Sequence, residues 1–252
     1  MRYFHLMLTL SALAIGLTGC AKKEPALQIK GGNIAVVAND RRDGAAEVRA
    51  IIERYRPHVD SIKKPILGKA AKTLKSFPPE SPLMNFAADA LMTMAQRHSE
   101  QKIDIAITNK GGLRNDLSAG DITFGDIYNI FNFDNRLTLL TLNGEQLTQL
   151  CREIAAVGGE AISGLRMTIT KDGKLVDATV AGKAIEPESR YRIATLDYLA
   201  QGNDKLYTLA EGSDIEIKGM LLRDLMVEYI KELAAKGKKA DAECDGRITI
   251  KD

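Results

Sequence analysis

Two hydrophobic periods take turns along this 252-residue chain. Val48, Ile51, Ile52 and Tyr55 recur at helical spacing, which predicts a helix over residues 43–59 with Pro57 near its end. Residues 66–74 read as a strand. The run Phe77-Pro78-Pro79-Glu80-Ser81-Pro82 breaks the pattern and opens a second helix. Ser81 suits its N-cap and Pro82 its first helical position, and Leu83, Phe86, Ala87, Ala90, Leu91 and Met94 form its apolar stripe. Ile103, Ile105 and Ile107 then alternate with other residues, as in a strand with one face against a core. That strand stops at Asn109-Lys110-Gly111-Gly112, where two glycines let the backbone turn with positive φ or approach a ligand closely.

The same reading continues to the end of the chain. It predicts a short helix over 124–131, a strand over 136–142, and a helix from Asn143-Gly144 that buries Leu147, Leu150, Cys151 and Ile154 and ends near Gly158-Gly159. Strands over 165–170 and 174–180 flank Asp172-Gly173, a hairpin signal. A strand at 191–195 runs into a loop that ends Gly202-Asn203-Asp204. The last long helix carries Leu222, Leu225, Met226, Tyr229, Ile230 and Leu233, with Gly237 placed as its C-cap, and 247–251 closes the chain as a strand. A hairpin and an irregular element order argue against a doubly wound parallel sheet. The fold class expected is α+β, one mixed domain over 34–252, with a first short strand at 34–37.

The N-terminus reads as an address. A basic start precedes an apolar run from Leu6 to Leu17, too short for an ordinary membrane span, and small residues lead to Cys20. Leu17-Thr18-Gly19-Cys20 resembles a bacterial lipoprotein cleavage box; a plain secretory signal with an incidental cysteine is the alternative. The expectation is a signal peptide over 1–19, lipidation at Cys20, a tether over 20–33, and a domain exported and lipid-anchored to the cell envelope (outer membrane or periplasm). Export would permit a disulfide between Cys151 and Cys244, but the place of Cys151 on an apolar helix face favours a free, buried thiol.

Charge and chemistry narrow the function. A net charge of +2 gives no case for nucleic-acid binding. Two-metal hydrolysis needs clustered Asp, Asn and His ligands, yet beyond the signal segment only His58 and His98 remain, without ligand spacing around them. There is no Gly-x-Ser-x-Gly elbow and no phosphate loop. The chain therefore lacks a recognisable catalytic centre. Binding chemistry is better represented. Aromatic residues make up only 5% of the chain, yet Phe133 and Tyr198 sit in polar loops. Two such rings suit a base sandwich, with Asn135 at the base edge, Asp204 for ribose hydroxyls and Arg114 for a phosphate. The bland alternative is that both rings cap the core and Arg114 pairs with a carboxylate such as Asp116.

A resemblance weighs on that choice. Asn109-Lys110-Gly111-Gly112-Leu113-Arg114 resembles the Asn-x-Gly-Gly-Ile-Arg loop of the C-terminal domain of bacterial 5′-nucleotidases (UDP-sugar hydrolases). Residues 121–128, 131–135, 140–147, 162–166 and 191–195 continue the match, which covers about 66–250. The resemblance implies a layered α/β/β/α domain that binds the nucleoside end of a substrate, while a separate N-terminal metallophosphoesterase domain does the chemistry. It assigns Phe133 and Tyr198 to base stacking, Asn135 to the base, Arg114 to the vicinity of the substrate and Asp204 to the ribose, with Asn109, Gly111 and Gly112 as the pocket loop. No metallophosphoesterase domain fits before residue 66. The implied system is thus a nucleotide-recognition chain without a cofactor of its own, whose divalent metals lie on a separate metallophosphoesterase chain. Envelope capture of nucleosides or nucleotides without turnover, and a structural domain with a lost pocket, are the alternatives. Two departures stand out: Phe77 takes the place of an arginine in an Arg-x-x-Glu-Ser turn, and Gly202-Asn203-Asp204-Lys205 replaces a Gly-Gly-Asp-Gly loop. There Asn203 can tolerate positive φ, and Lys205 brings bulk and a charge that could block the pocket or aid a phosphate.

Overall fold

The computed structural model describes residues 31–32 and 46–251. The signal segment, Cys20, most of the tether, the strand expected at 34–37 and the first residues of the helix expected from Asp43 lie outside them. The chain divides into two compact units, Met1–Arg49 and Ala50–Asp252, and the site lies wholly in the second.

Helix α1 (Ala46–Lys63) runs past Pro57 to Lys63, further than its pattern suggested. Its apolar stripe is not core. Ile51, Ile52, Tyr55, Val59 and Ile62 are all exposed, so this amphipathic face lacks the packing that usually stabilises one. Strand β1 (Ile66–Ala70) stops short of Leu74, which instead makes an isolated bridge to Leu117. Helix α2 (Pro82–Arg97) starts as expected. The Ser81 hydroxyl accepts from the Met84 amide at 3.3 Å, a cap worth about 1 kcal/mol, and Leu83, Phe86, Leu91 and Met94 are buried.

Strand β2 (Ile105–Thr108) corrects the one-faced reading: all four residues are buried, and Ile103 lies outside the strand. An interior strand with both faces covered has no polar side to alternate with. Strand β3 (Gly120–Thr123) pairs antiparallel with β1 and leads into α3 (Phe124–Ile130), capped by a reciprocal Thr123–Asp126 box. Strand β4 (Arg136–Asn143) and helix α4 (Gly144–Ala156) follow, and Asn143 and Gln146 form the same kind of box. Then come β5 (Ala161–Ser163), the hairpin β6 (Leu165–Thr170) and β7 (Leu175–Val180), the short β8 (Lys183–Ala184) and β9 (Arg190–Leu196). Strand β10 (Ser213–Leu221), helix α5 (Leu222–Ala235) and β11 (Ile248–Lys251), which pairs parallel with β6, complete the domain. The sequence reading did not contain β3, β5, β8 or β10.

Besides the β1–β3 pair there is a five-stranded sheet in the order β10-β4-β9-β2-β5 and a four-stranded sheet in the order β11-β6-β7-β8. Helix α2 packs on β2, β5 and β9, and α4 packs on β4 and β9 of one sheet and on β6 and β7 of the other. The expected layered α+β class holds. Cys151 is buried and free, its thiol pushed up to about 12 by burial, and Cys244 is exposed and free.

Candidate functional site

Three strands of the larger sheet deliver the site. β9 runs parallel to β2 and antiparallel to β4, and the three are neighbours in the order β4-β9-β2. The ends of β2 and β9 and the start of β4 therefore share one edge of the sheet. Asn109 follows β2, Tyr198 follows β9, and Phe133 and Asn135 precede β4. Residues about 25 to 90 positions apart in the chain are brought together by this pairing alone.

At that edge lies a cavity of about 350 Å³ lined by Asn109, Gly111, Arg114, Phe133, Asn135, Tyr198 and Asp204. All five residues expected to touch substrate are among them. Phe133 and Tyr198 keep 49% and 39% of their surface exposed, and neither ring is in contact with another ring among the described residues. They do not cap the core. Arg114 is exposed, donates to the Gly111 carbonyl at 3.3 Å and makes no ion pair among the described residues. Asp116, the partner considered for it, instead accepts from the Ser76 amide.

The loops are tied to one another through Asp204. The buried Asn109 amide donates to one oxygen of Asp204 at 2.6 Å, and the Tyr198 hydroxyl donates to the other at 2.9 Å. As the acceptor of that proton, the Asp204 carboxylate holds the Tyr198 phenol above its usual value. Each carboxylate oxygen has a second lone pair for a further donor. Positive φ falls on Gly202 at 80°, Asp204 at 55° and Lys205 at 64°, not on Asn203. The Asn203 side chain instead donates to the Tyr198 carbonyl at 2.8 Å. A left-handed aspartate is tolerated because its short polar side chain bonds locally. Lys205 is exposed and does not line the cavity.

Of the two roles open to the Gly-Gly pair, positive φ is not observed, while Gly111 lines the cavity. Neither glycine has positive φ, and Gly112 does not line the cavity. A Cβ on Gly112 would come within 2.7 Å of Asn109 Oδ1, so the missing side chain makes room for Asn109 and not for a ligand. Asn109 Oδ1 is buried without a partner among the described residues.

Four supporting residues escaped the sequence reading. The Lys110 ammonium donates to the carbonyls of Val157 and Gly159 at 2.8 and 2.7 Å and pairs with Glu160 at 3.2 Å, pinning the loop from below. Glu160 is buried, and burial holds its carboxyl above the ordinary range against the pull of Lys110. Asp197 accepts from the Arg136 and Tyr198 amides, both at 2.9 Å. Arg223 pairs with Asp134 at 2.9 Å and donates to the Phe131 carbonyl, holding the turn that presents Phe133. No local pattern marks these partners, which, apart from the Tyr198 amide next to Asp197, lie 47 to 92 positions away. Among the described residues, no group of three or more His, Cys, Asp or Glu is placed to hold a metal ion.

The family model described as 5′-nucleotidase, C-terminal domain, matches residues 66–211. The chain belongs to that family. Endonuclease YhcR of Bacillus subtilis is 31% identical over 186 residues, covering 71% of this chain and 15% of that protein. Trifunctional nucleotide phosphoesterase protein YfkN of the same organism is 26% identical over 243 residues, 88% of this chain and 16% of that protein. This 5′-nucleotidase C-terminal domain chain thus spans about a sixth of the length of these relatives. The crystal structure of a 5′-nucleotidase precursor from Thermus thermophilus matches with a TM-score of 0.70 at 24% identity, over 81% of this chain and 42% of that one. That likeness supports the fold.

Proposed function

We propose that this domain is the nucleotide-recognition half of an exported 5′-nucleotidase system, lipid-anchored through Cys20, with a metallophosphoesterase on a separate chain supplying the metals and the hydrolysis. The observation that carries the reading is the convergence of Phe133, Asn135, Tyr198, Asp204 and Arg114 on one cavity from three loops. The two rings take the base between them, Asn135 reads its polar edge, Asp204 accepts from the ribose hydroxyls, and Arg114 takes the phosphate. The volume suits the nucleoside part of a ligand. The relatives named for phosphoesterase activity support a nucleotide as the ligand. In this reading the hydrolytic step belongs to the partner chain.

The test is a thermal-shift and calorimetric titration with adenosine, AMP, UMP and UDP-glucose, on the unaltered chain and on Phe133→Ala. Ligand at a hundredfold excess over Kd stabilises the fold by about 2.7 kcal/mol, a readable shift. A shift present in the parent and lost in Phe133→Ala supports the reading. No shift with any ligand removes it and leaves a structural domain. Phosphate release that appears only on mixing with a metallophosphoesterase supports the two-chain system. Binding without any such release in a mixture means capture without turnover.

A further inference from the structure

The surface does not close at Arg114. A second recess, of about 350 Å³, shares Gly111 and Arg114 with the cavity described above and is also lined by Phe77, Pro78 and Asp116. Phe77 leaves 47% of its surface exposed there. Aromatic residues are 5% of this chain, and three that are exposed (Phe77, Phe133 and Tyr198) line these two adjoining recesses.

Charge limits what fits. Lys110 also lines the second recess, but its ammonium is held by two carbonyls and by Glu160. Asp116 adds a negative charge, its carboxylate holding only the Ser76 amide, at 3.1 Å, among the described residues. Arg114 is left as the one lining cation without an ion pair among the described residues, and it is common to both recesses. A terminal phosphate carries nearly two charges at neutral pH, and a polyphosphate tail more. A tail running into the second recess would meet Asp116 with no second cation to offset it. A phosphodiester carries one charge and has a neutral group on each side.

We propose that the second recess is a ring-binding subsite built on Phe77, and that the ligand is a phosphodiester. One nucleoside sits between Phe133 and Tyr198, the singly charged phosphate lies on Arg114, and a second nucleobase stacks on Phe77. Phe77 is then a specificity-determining residue that separates a dinucleotide from a mononucleotide. The inference rests on the nucleotide reading of the first cavity.

Calorimetric titration of the full chain with AMP, with the dinucleoside monophosphate ApA and with diadenosine diphosphate tests it, on the parent, Phe77→Ala and Phe133→Ala. One stacked base corresponds to about fivefold or more in affinity, so ApA is expected to bind at least about fivefold tighter than AMP. Phe77→Ala removes that advantage and leaves AMP affinity unchanged, and the exposure of the ring keeps the variant folded. Diadenosine diphosphate, with its second charge, binds more weakly than ApA. Equal affinity for ApA and AMP, or an ApA affinity unmoved by Phe77→Ala, overturns the inference; AMP binding lost in Phe133→Ala would then leave the first cavity standing. Diadenosine diphosphate binding tighter than ApA overturns the one-charge argument, and absence of all binding removes both readings together. Tetraadenylate as a further ligand separates the sources: affinity matching ApA means the end of a strand fits, and loss of binding means a free dinucleotide.

Discussion

Asp204 is the side chain on which the loops of the site depend. Each of its oxygens holds one donor from a different loop position, Asn109 and Tyr198, and its backbone sits in the left-handed region. Asparagine tolerates that backbone as well as aspartate does. Asp204→Asn therefore keeps the backbone but removes the charge and one of the two accepting oxygens, so that one of the donors faces an NH2 group. The expected loss is about 1–3 kcal/mol in urea unfolding, with nucleoside binding weakened in parallel; a loss in binding without one in stability would detach Asp204 from loop positioning. Gly112→Ala is expected to act on the same tie from the other side, pushing Asn109 off Asp204 at a cost of about 1–3 kcal/mol, read by the same unfolding experiment. Glu160 gives the site a pH dependence. Its carboxyl is raised by burial, so it stabilises the fold fully below its unfolded value, and that stability is lost as pH rises through the raised folded value. Glu160→Gln should flatten the decline in unfolding free energy from the ordinary carboxylate range upward, and an unchanged slope would remove Glu160 as its source. At this scale the residues that line the cavity were legible, because rings and charges in polar loops are conspicuous in a chain poor in aromatics. The Lys110–Glu160 pair was not, since a buried ion pair spanning 50 positions leaves no local trace.

Periodicity located the helices but said nothing about what they pack against. α1 and α2 carry stripes of the same kind, yet Ile52 in α1 is 50% exposed while Leu91 in α2 has no exposed surface. The difference lies in what surrounds each helix. Leu91→Ala is expected to cost about 2–5 kcal/mol, and Ile52→Ser to stay within about 0.5 kcal/mol of the parent, both measured by denaturant midpoint at constant slope. A large loss for Ile52→Ser would mean that its face is covered in solution. Strand readings failed in the opposite way. β2 reads as alternating because Ala106 and Thr108 separate its isoleucines, yet both of these are buried too. β10, which the sequence reading did not contain, alternates properly at Ile215 and Ile217, but both are exposed at the edge of the sheet. Element type follows local pattern; burial follows the partner that tertiary structure supplies.

Across the whole domain, the site is a property of sheet order. Asn109, Asn135 and Tyr198 meet because β2, β4 and β9 are neighbours with their relevant ends on one edge, a fact that pairing decides and that no stretch of sequence contains. The strands beneath are buried and rigid, whereas the loops above rest on a small number of polar ties through Asp204, Asp197 and Lys110. Opening of these loops should thus need less free energy than global unfolding, and a ligand that bridges them should raise that cost. Hydrogen exchange reads this directly. AMP at saturation is expected to slow amide exchange over 109–114, 131–136 and 197–206 together, because each contributes a side chain to one cavity. Residues 50–63 have no packed apolar face among the described residues, and their exchange should not change. Protection confined to 109–114 would assign the ligand to the phosphate side alone and take Phe133 and Tyr198 out of the site. Protection spreading to 50–63 would mean that ligand binding also finds a partner for the exposed face of α1.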